Sequence, residues 1–128
     1  VSPVVPATLY HGTPTQAAAQ DIYNNNRWRV RSNQPHGIYL AQNFNDAAGY
    51  ARPSGAVVMV RNNLPGTSVV DLGRCPGNSD TALAMGYRLV KRGTVYIALV
   101  PQNSTPQQYY RVTGITPAGL FDPQQKPI

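Results

Sequence analysis

His11 and His36 are the only two histidines, Cys75 is the single cysteine, and the five acids are all Asp, at positions 21, 46, 71, 80 and 122, with no Glu anywhere. One thiol cannot close an internal disulfide or head a multi-cysteine zinc site, and two histidines without supporting carboxylates do not make a metal centre. What remains for chemistry is polar and aromatic. His11 precedes Gly12 and Thr13 at the end of an extended run, Tyr39 lies in an alternating segment, Tyr50 lies in a helical one, and Arg27, Trp28, Arg29 and Arg31 form a basic stretch between them. Arginine meets a pyrophosphate through paired N–H donors and Trp stacks on a base, so this stretch reads either as a nucleotide or target contact or as a solvated loop anchored by one Trp. On residue type alone His11 also suits a turn, Tyr39 a core and Tyr50 helix packing; Tyr10, Tyr23, Tyr87 and Tyr96 are assigned to packing.

These residues need a scaffold, and the sequence suggests one. At 128 residues the chain fits one domain, spanning 1–128, with a core of its own. Thr8 to His11 reads as a strand stopped by Gly12, and Thr15 to Tyr23 as an Ala-rich helix capped by Thr15. Residues 24–36 read mainly as loop, Gly37 to Ala41 as a strand, and Asp46 to Ala51 as a short helix capped by Asn43 or Asn45. Strands follow over Gly55 to Val60 and Ser68 to Leu72, a helix over Thr81 to Val90 despite Gly86, and a central strand over Thr94 to Val100. A last strand begins over Gln108 to Val112, and the tail from Pro117 reads as irregular. Short strands with a few small helices give an α+β domain.

Eleven Lys and Arg against five Asp leave a net charge of +6, which favours an acidic partner such as nucleic acid, an anionic protein face or a phosphate-bearing cofactor, with a plain solvated surface as the alternative. No apolar run approaches the roughly 18–20 residues of a membrane helix, so a soluble monomer without a membrane partner is expected. The start at Val1 without Met reads as a mature product, a cut domain or a trimmed chain.

Leu9-Tyr10-His11-Gly12-Thr13, then Gly37-Ile38-Tyr39-Leu40 and Asp46-Ala47-Ala48-Gly49-Tyr50, fall in an order that resembles the H-Y-E clan of ADP-ribosyltransferases, which includes the catalytic domain of diphtheria toxin and the poly-ADP-ribose polymerases. The likeness covers roughly residues 8–60 well and the remainder by strand order alone. It implies a split β-sandwich of two small, mainly antiparallel sheets around an NAD cleft, with no metal. It also implies roles. His11 holds the ribose next to nicotinamide, Gly12 lets its backbone approach the nicotinamide amide closely, Thr13 completes the cofactor-binding run, and Tyr39 and Tyr50 sandwich the ring by offset stacking. The family carries a catalytic Glu at a late strand, and here the matching position is Gln108. A Gln amide hydrogen-bonds a ribose hydroxyl but brings no charge to an oxocarbenium-like transition state. Three accounts stand open: Gln108 suffices for a strong nucleophile, an Asp fills the role, or Glu was replaced by Gln to hold the chain inactive. Asp71 is the Asp candidate, by a fainter likeness to rifampin-modifying ADP-ribosyltransferases that use His, Tyr and Asp.

The activity implied is mono-ADP-ribosyl transfer from NAD to a protein or nucleic-acid acceptor, with NAD hydrolysis as the same chemistry on water. The alternatives are a module that binds NAD or ADP-ribose without turnover, favoured by the missing Glu, and a drug-modifying transferase. Only Lys91 and Lys126 are lysines, a scarcity that suits a secreted toxin or delivered effector avoiding ubiquitination and equally suits codon bias.

Overall fold

A computed structural model describes residues 6–29, 37–103 and 109–128. Its strands are β1 (Thr8–Thr13), β2 (Trp28–Arg29), β3 (Gly37–Ala41), β4 (Ala56–Asn62), β5 (Val69–Asp71), β6 (Leu89–Arg92), β7 (Val95–Leu99), β8 (Tyr109–Tyr110) and β9 (Ile115–Phe121), and its helices are α1 (Gln16–Asn25), α2 (Phe44–Ala51) and α3 (Ser79–Ala84). The α+β class is therefore as expected.

Seven strands join one sheet in the order β5-β6-β7-β3-β1-β4-β9, and β2 pairs with β8 in a separate ribbon. Every pairing is antiparallel except β5 with β6. In place of two small sheets there is one sheet with a pinch. β1 is in register with β4 from Thr8↔Arg61 to Thr13↔Ala56, and β3 with β7 from Gly37↔Leu99 to Ala41↔Val95, yet β1 and β3 share only Tyr10↔Ala41.

Alternation along the strands sends neighbours to opposite faces. Val58 joins a core with Leu9, Leu40, Val60 and, from α1, Ala19 and Ile22, whereas Val57 joins Ala41 and the Ala47, Ala48 and Ala51 face of α2. The two helices thus cover opposite faces of the sheet. Thr15 caps α1 by accepting from the Ala18 N–H at 3.2 Å, and Asn26 ends it in the left-handed region at φ 52°.

Three expected elements are corrected. The helix over Thr81 to Val90 is instead α3 followed by β6: Gly86 adopts φ 93°, the Tyr87 N–H turns back to the Ala82 carbonyl, and Leu89 and Val90 enter the sheet between β5 and β7. Asn78, not Thr81, starts that helix, accepting from the Asp80 and Thr81 N–H groups. The tail expected to be irregular from Pro117 continues to Phe121 as the edge strand β9, paired with β4 through a register shift at Met59/Val60, and is irregular only from Asp122 on. An edge beside a bulge is where a strand tolerates proline, whose missing N–H is then not needed by the ladder. Finally, Gly12 does not stop β1, which runs on to Thr13.

Candidate functional site

The site begins at the pinch. One residue beyond Tyr10↔Ala41, His11 Nδ1 lies 2.8 Å from the Tyr39 carbonyl oxygen. A carbonyl only accepts, so Nδ1 carries the proton and in the neutral ring Nε2 is left as an acceptor. The imidazole also meets the Trp28 ring edge-on, centroids 5.2 Å apart at 67°. Trp28 Nε1 donates to Asn26 Oδ1, and Asn26 Nδ2 donates to the Val112 carbonyl at 3.1 Å, so the indole behind the histidine is itself fixed.

Gly12 is required by close approach. A Cβ there would stand 2.0 Å from the Ala47 carbonyl oxygen of α2, a distance no side chain tolerates. The absence of that atom lets α2 press against β1 and brings Tyr50, one turn further along α2, beside the pinch.

A cavity of about 300 Å³ opens there, lined by His11, Gly12, Tyr39, Asp46, Tyr50 and Arg92 among others. Tyr50 is 63% exposed and stands at the mouth. Arg92, on the tight turn between β6 and β7 where Gly93 takes φ 63°, holds its guanidinium carbon 5.5 Å from the Tyr39 ring centroid. The volume suits a small planar group rather than a whole dinucleotide.

A second cavity, about 570 Å³, shares His11 and Gly12 with the first and continues past Thr15, Asp21, Arg27, Arg29 and Tyr109. Arg27 lies over the Tyr109 ring at 4.0 Å and reaches Asp21 at 3.5 Å, while Arg29 Nη2 donates to the Tyr109 hydroxyl at 2.8 Å. Pairing of Trp28 with Tyr110 and Arg29 with Tyr109 in the β2–β8 ribbon sets this basic and aromatic wall in place.

His11, Gly12, Tyr39 and Tyr50 thus come together, and Arg27 and Arg29 border the adjoining space. Other expectations are corrected. Trp28 is 1% exposed in the main core, so its ring backs the histidine and is not offered to a base. Thr13 borders the second cavity, as its place beside Gly12 suggests, with its hydroxyl turned to the Thr15 and Ala56 carbonyls at 2.8 and 3.0 Å. Tyr23 is exposed rather than packed. Asp71 ends β5 beside Lys91 and lines neither cavity; its charge adds to burial in holding the Tyr96 phenol above its usual range. Gln108, Arg31 and His36 lie outside the described residues.

Asp46, Arg92 and Tyr109 were not singled out from the sequence. An acid in a first helical turn and an arginine beside a turn glycine are ordinary local features, and only the topology gathers them at one cleft. Among the described residues no group of His, Cys and Asp could hold a metal, and no helix is long and apolar enough to cross a membrane. Comparison with family models, with curated proteins and with solved structures finds no match.

Proposed function

We propose that the chain binds NAD along the two cavities that share His11 and Gly12 and acts as a mono-ADP-ribosyltransferase, in an ADP-ribosyltransferase-like fold. The observation that carries this reading is the convergence of His11, Tyr39 and Tyr50 on one cavity, which shares His11 and Gly12 with a second cavity walled by Arg27 and Arg29. The nicotinamide ring fits between the two tyrosines, the adjoining ribose lies within reach of His11, and the arginines meet the pyrophosphate. In the transfer, the bond from the ribose C1′ to the ring nitrogen breaks and its electron pair neutralises the pyridinium. Positive charge grows on the ribose, and the acceptor's nucleophile bonds to C1′ and gives up its proton to solvent. An acceptor protein or nucleic acid approaches from the basic wall.

A second reading follows from the absence of Glu: a module that holds NAD or ADP-ribose without turning it over. Nicotinamide release separates the two. Incubation with labelled NAD and candidate acceptors is expected to release nicotinamide and add the mass of ADP-ribose to a target. Saturable NAD binding without release supports the module, and no NAD binding overturns both readings.

A further inference from the structure

The first cavity already holds a planar cation. Arg92 lines it and places its guanidinium 5.5 Å from the Tyr39 centroid, within the range where a cation is drawn to the negative face of a ring. The same cavity carries one carboxylate. All five acids of the chain fall among the described residues, and their placement singles out Asp46. Asp21 borders the other cavity and is engaged by Arg27 and by the Asn25 amide at 2.8 Å; Asp80 accepts the backbone N–H of Gln102, beyond β7, and Asp122 those of Gln124 and Lys126 in its own turn; Asp71 lines neither cavity. Asp46, which accepts from the Asn43 side-chain amide at 3.5 Å, is the acid that lines this cavity together with Tyr39 and Tyr50.

Two aromatic rings, a carboxylate and a guanidinium at the rim together describe a site whose preferred guest is flat and positively charged. We propose that this cavity selects a planar organic cation, with Asp46 as its counter-charge and Arg92 as the resident cation that an entering ring displaces. The inference rests on the NAD reading and adds to it. The oxidised nicotinamide ring is a pyridinium, whereas released nicotinamide is neutral, so a cavity that discriminates by charge holds the substrate's ring and lets the product's go. Arg92 then has a cost and a use: it opposes entry of the cation, and it refills the Tyr39 face once the neutral product has left. Both charges sit at an exposed rim, so the selectivity is modest and weakens with salt.

The test uses two probes of nearly equal shape, 1-methylnicotinamide, a cation, and nicotinamide, which is neutral, titrated into the full chain at low ionic strength with chemical shifts as the readout. Wild type is expected to bind the cation about threefold or more tightly than the neutral ring. Asp46→Asn should remove most of that preference by weakening the cation alone, and Arg92→Gln should tighten the cation about twofold or more, leaving nicotinamide nearly unchanged. Equal affinity for the two probes in wild type, or weaker cation binding in Arg92→Gln, overturns charge selection while leaving the NAD reading in place. If neither probe shifts resonances lining the cavity, the nicotinamide assignment falls and this inference falls with it.

Discussion

The imidazole of His11 takes up the carbonyl of Tyr39 at 2.8 Å just where the main-chain pairing of their strands has ended at Tyr10↔Ala41. A side chain thus supplies the partner that a continuing ladder would have given, and the strands part without leaving that carbonyl unsatisfied. The cleft and the histidine's tautomer have one cause.

His11→Ala removes that hydrogen bond together with the ring contact to Trp28. The expected loss of stability is about 1–2 kcal/mol, and nicotinamide release should fall by about 100-fold or more. Thermal unfolding beside a turnover assay checks both, and a folded variant with full activity would remove His11 from the site.

Gly12→Ala and Gly49→Ala make a matched pair. The first drives a methyl into the Ala47 carbonyl at 2.0 Å and should cost about 3 kcal/mol and distort the cleft, whereas the second meets nothing within 4 Å in the same helix and should gain about 0.5–1 kcal/mol. Chemical denaturation of the two variants reads the difference, and equal stabilities would contradict the close approach of α2 to β1.

Trp28→Ala empties a fully buried site and should cost about 3–5 kcal/mol, while Trp28→Phe keeps most of the packing and loses the bond to Asn26, at about 1 kcal/mol. A Trp28→Ala variant as stable as wild type would return this residue to a solvated loop.

Alkaline pH should destabilise the fold through Tyr96. Burial, then the charge of Asp71, raise its phenol above the usual 10.0. The unfolded chain therefore loses that proton first, so the stabilisation is complete below about pH 10 and declines as pH climbs through the folded value. Asp71→Asn removes one of the two causes and should lessen the decline, measured as midpoint against pH; an identical slope in the variant would show that the charge is not felt.

Gln108→Glu should raise nicotinamide release about tenfold, equivalent to about 1.4 kcal/mol off the barrier, if that position serves the ribose as the family likeness implies. Asp71→Asn should leave turnover nearly unchanged, in keeping with its place outside both cavities. Loss of turnover in Asp71→Asn with no gain in Gln108→Glu would reverse the assignment.

Local signals carried much of this far. Gly37 to Ala41 is a strand as its composition suggests, and Thr15 caps its helix because a hydroxyl before an Ala-rich run has few better uses. Periodicity misled at Thr81 to Val90, since Leu89 and Val90 suit a helix face as well as a sheet interior and only the left-handed Gly86 decides between them. Pro117 argued against a strand until β4 supplied an edge and a bulge to receive it. The tyrosines and His11 were legible through their order in the chain. Asp46 and Arg92 were not, because their meeting depends on α2 and the β6–β7 turn closing on one cavity from distant parts of the sequence.

A sheet joined at its middle by one residue pair is also weak at its middle. On one side stand β5, β6, β7 and β3, on the other β1, β4 and β9, and each block owns a complete set of rungs that does not rely on the other. Amide hydrogens in the two blocks should therefore exchange with separate opening free energies rather than as one unit, the seam loosening first. A molecule lodged against both Gly12 and Tyr39 would act as a rivet across that seam, and its arrival would be felt as a merging of the two exchange classes far from anything it touches.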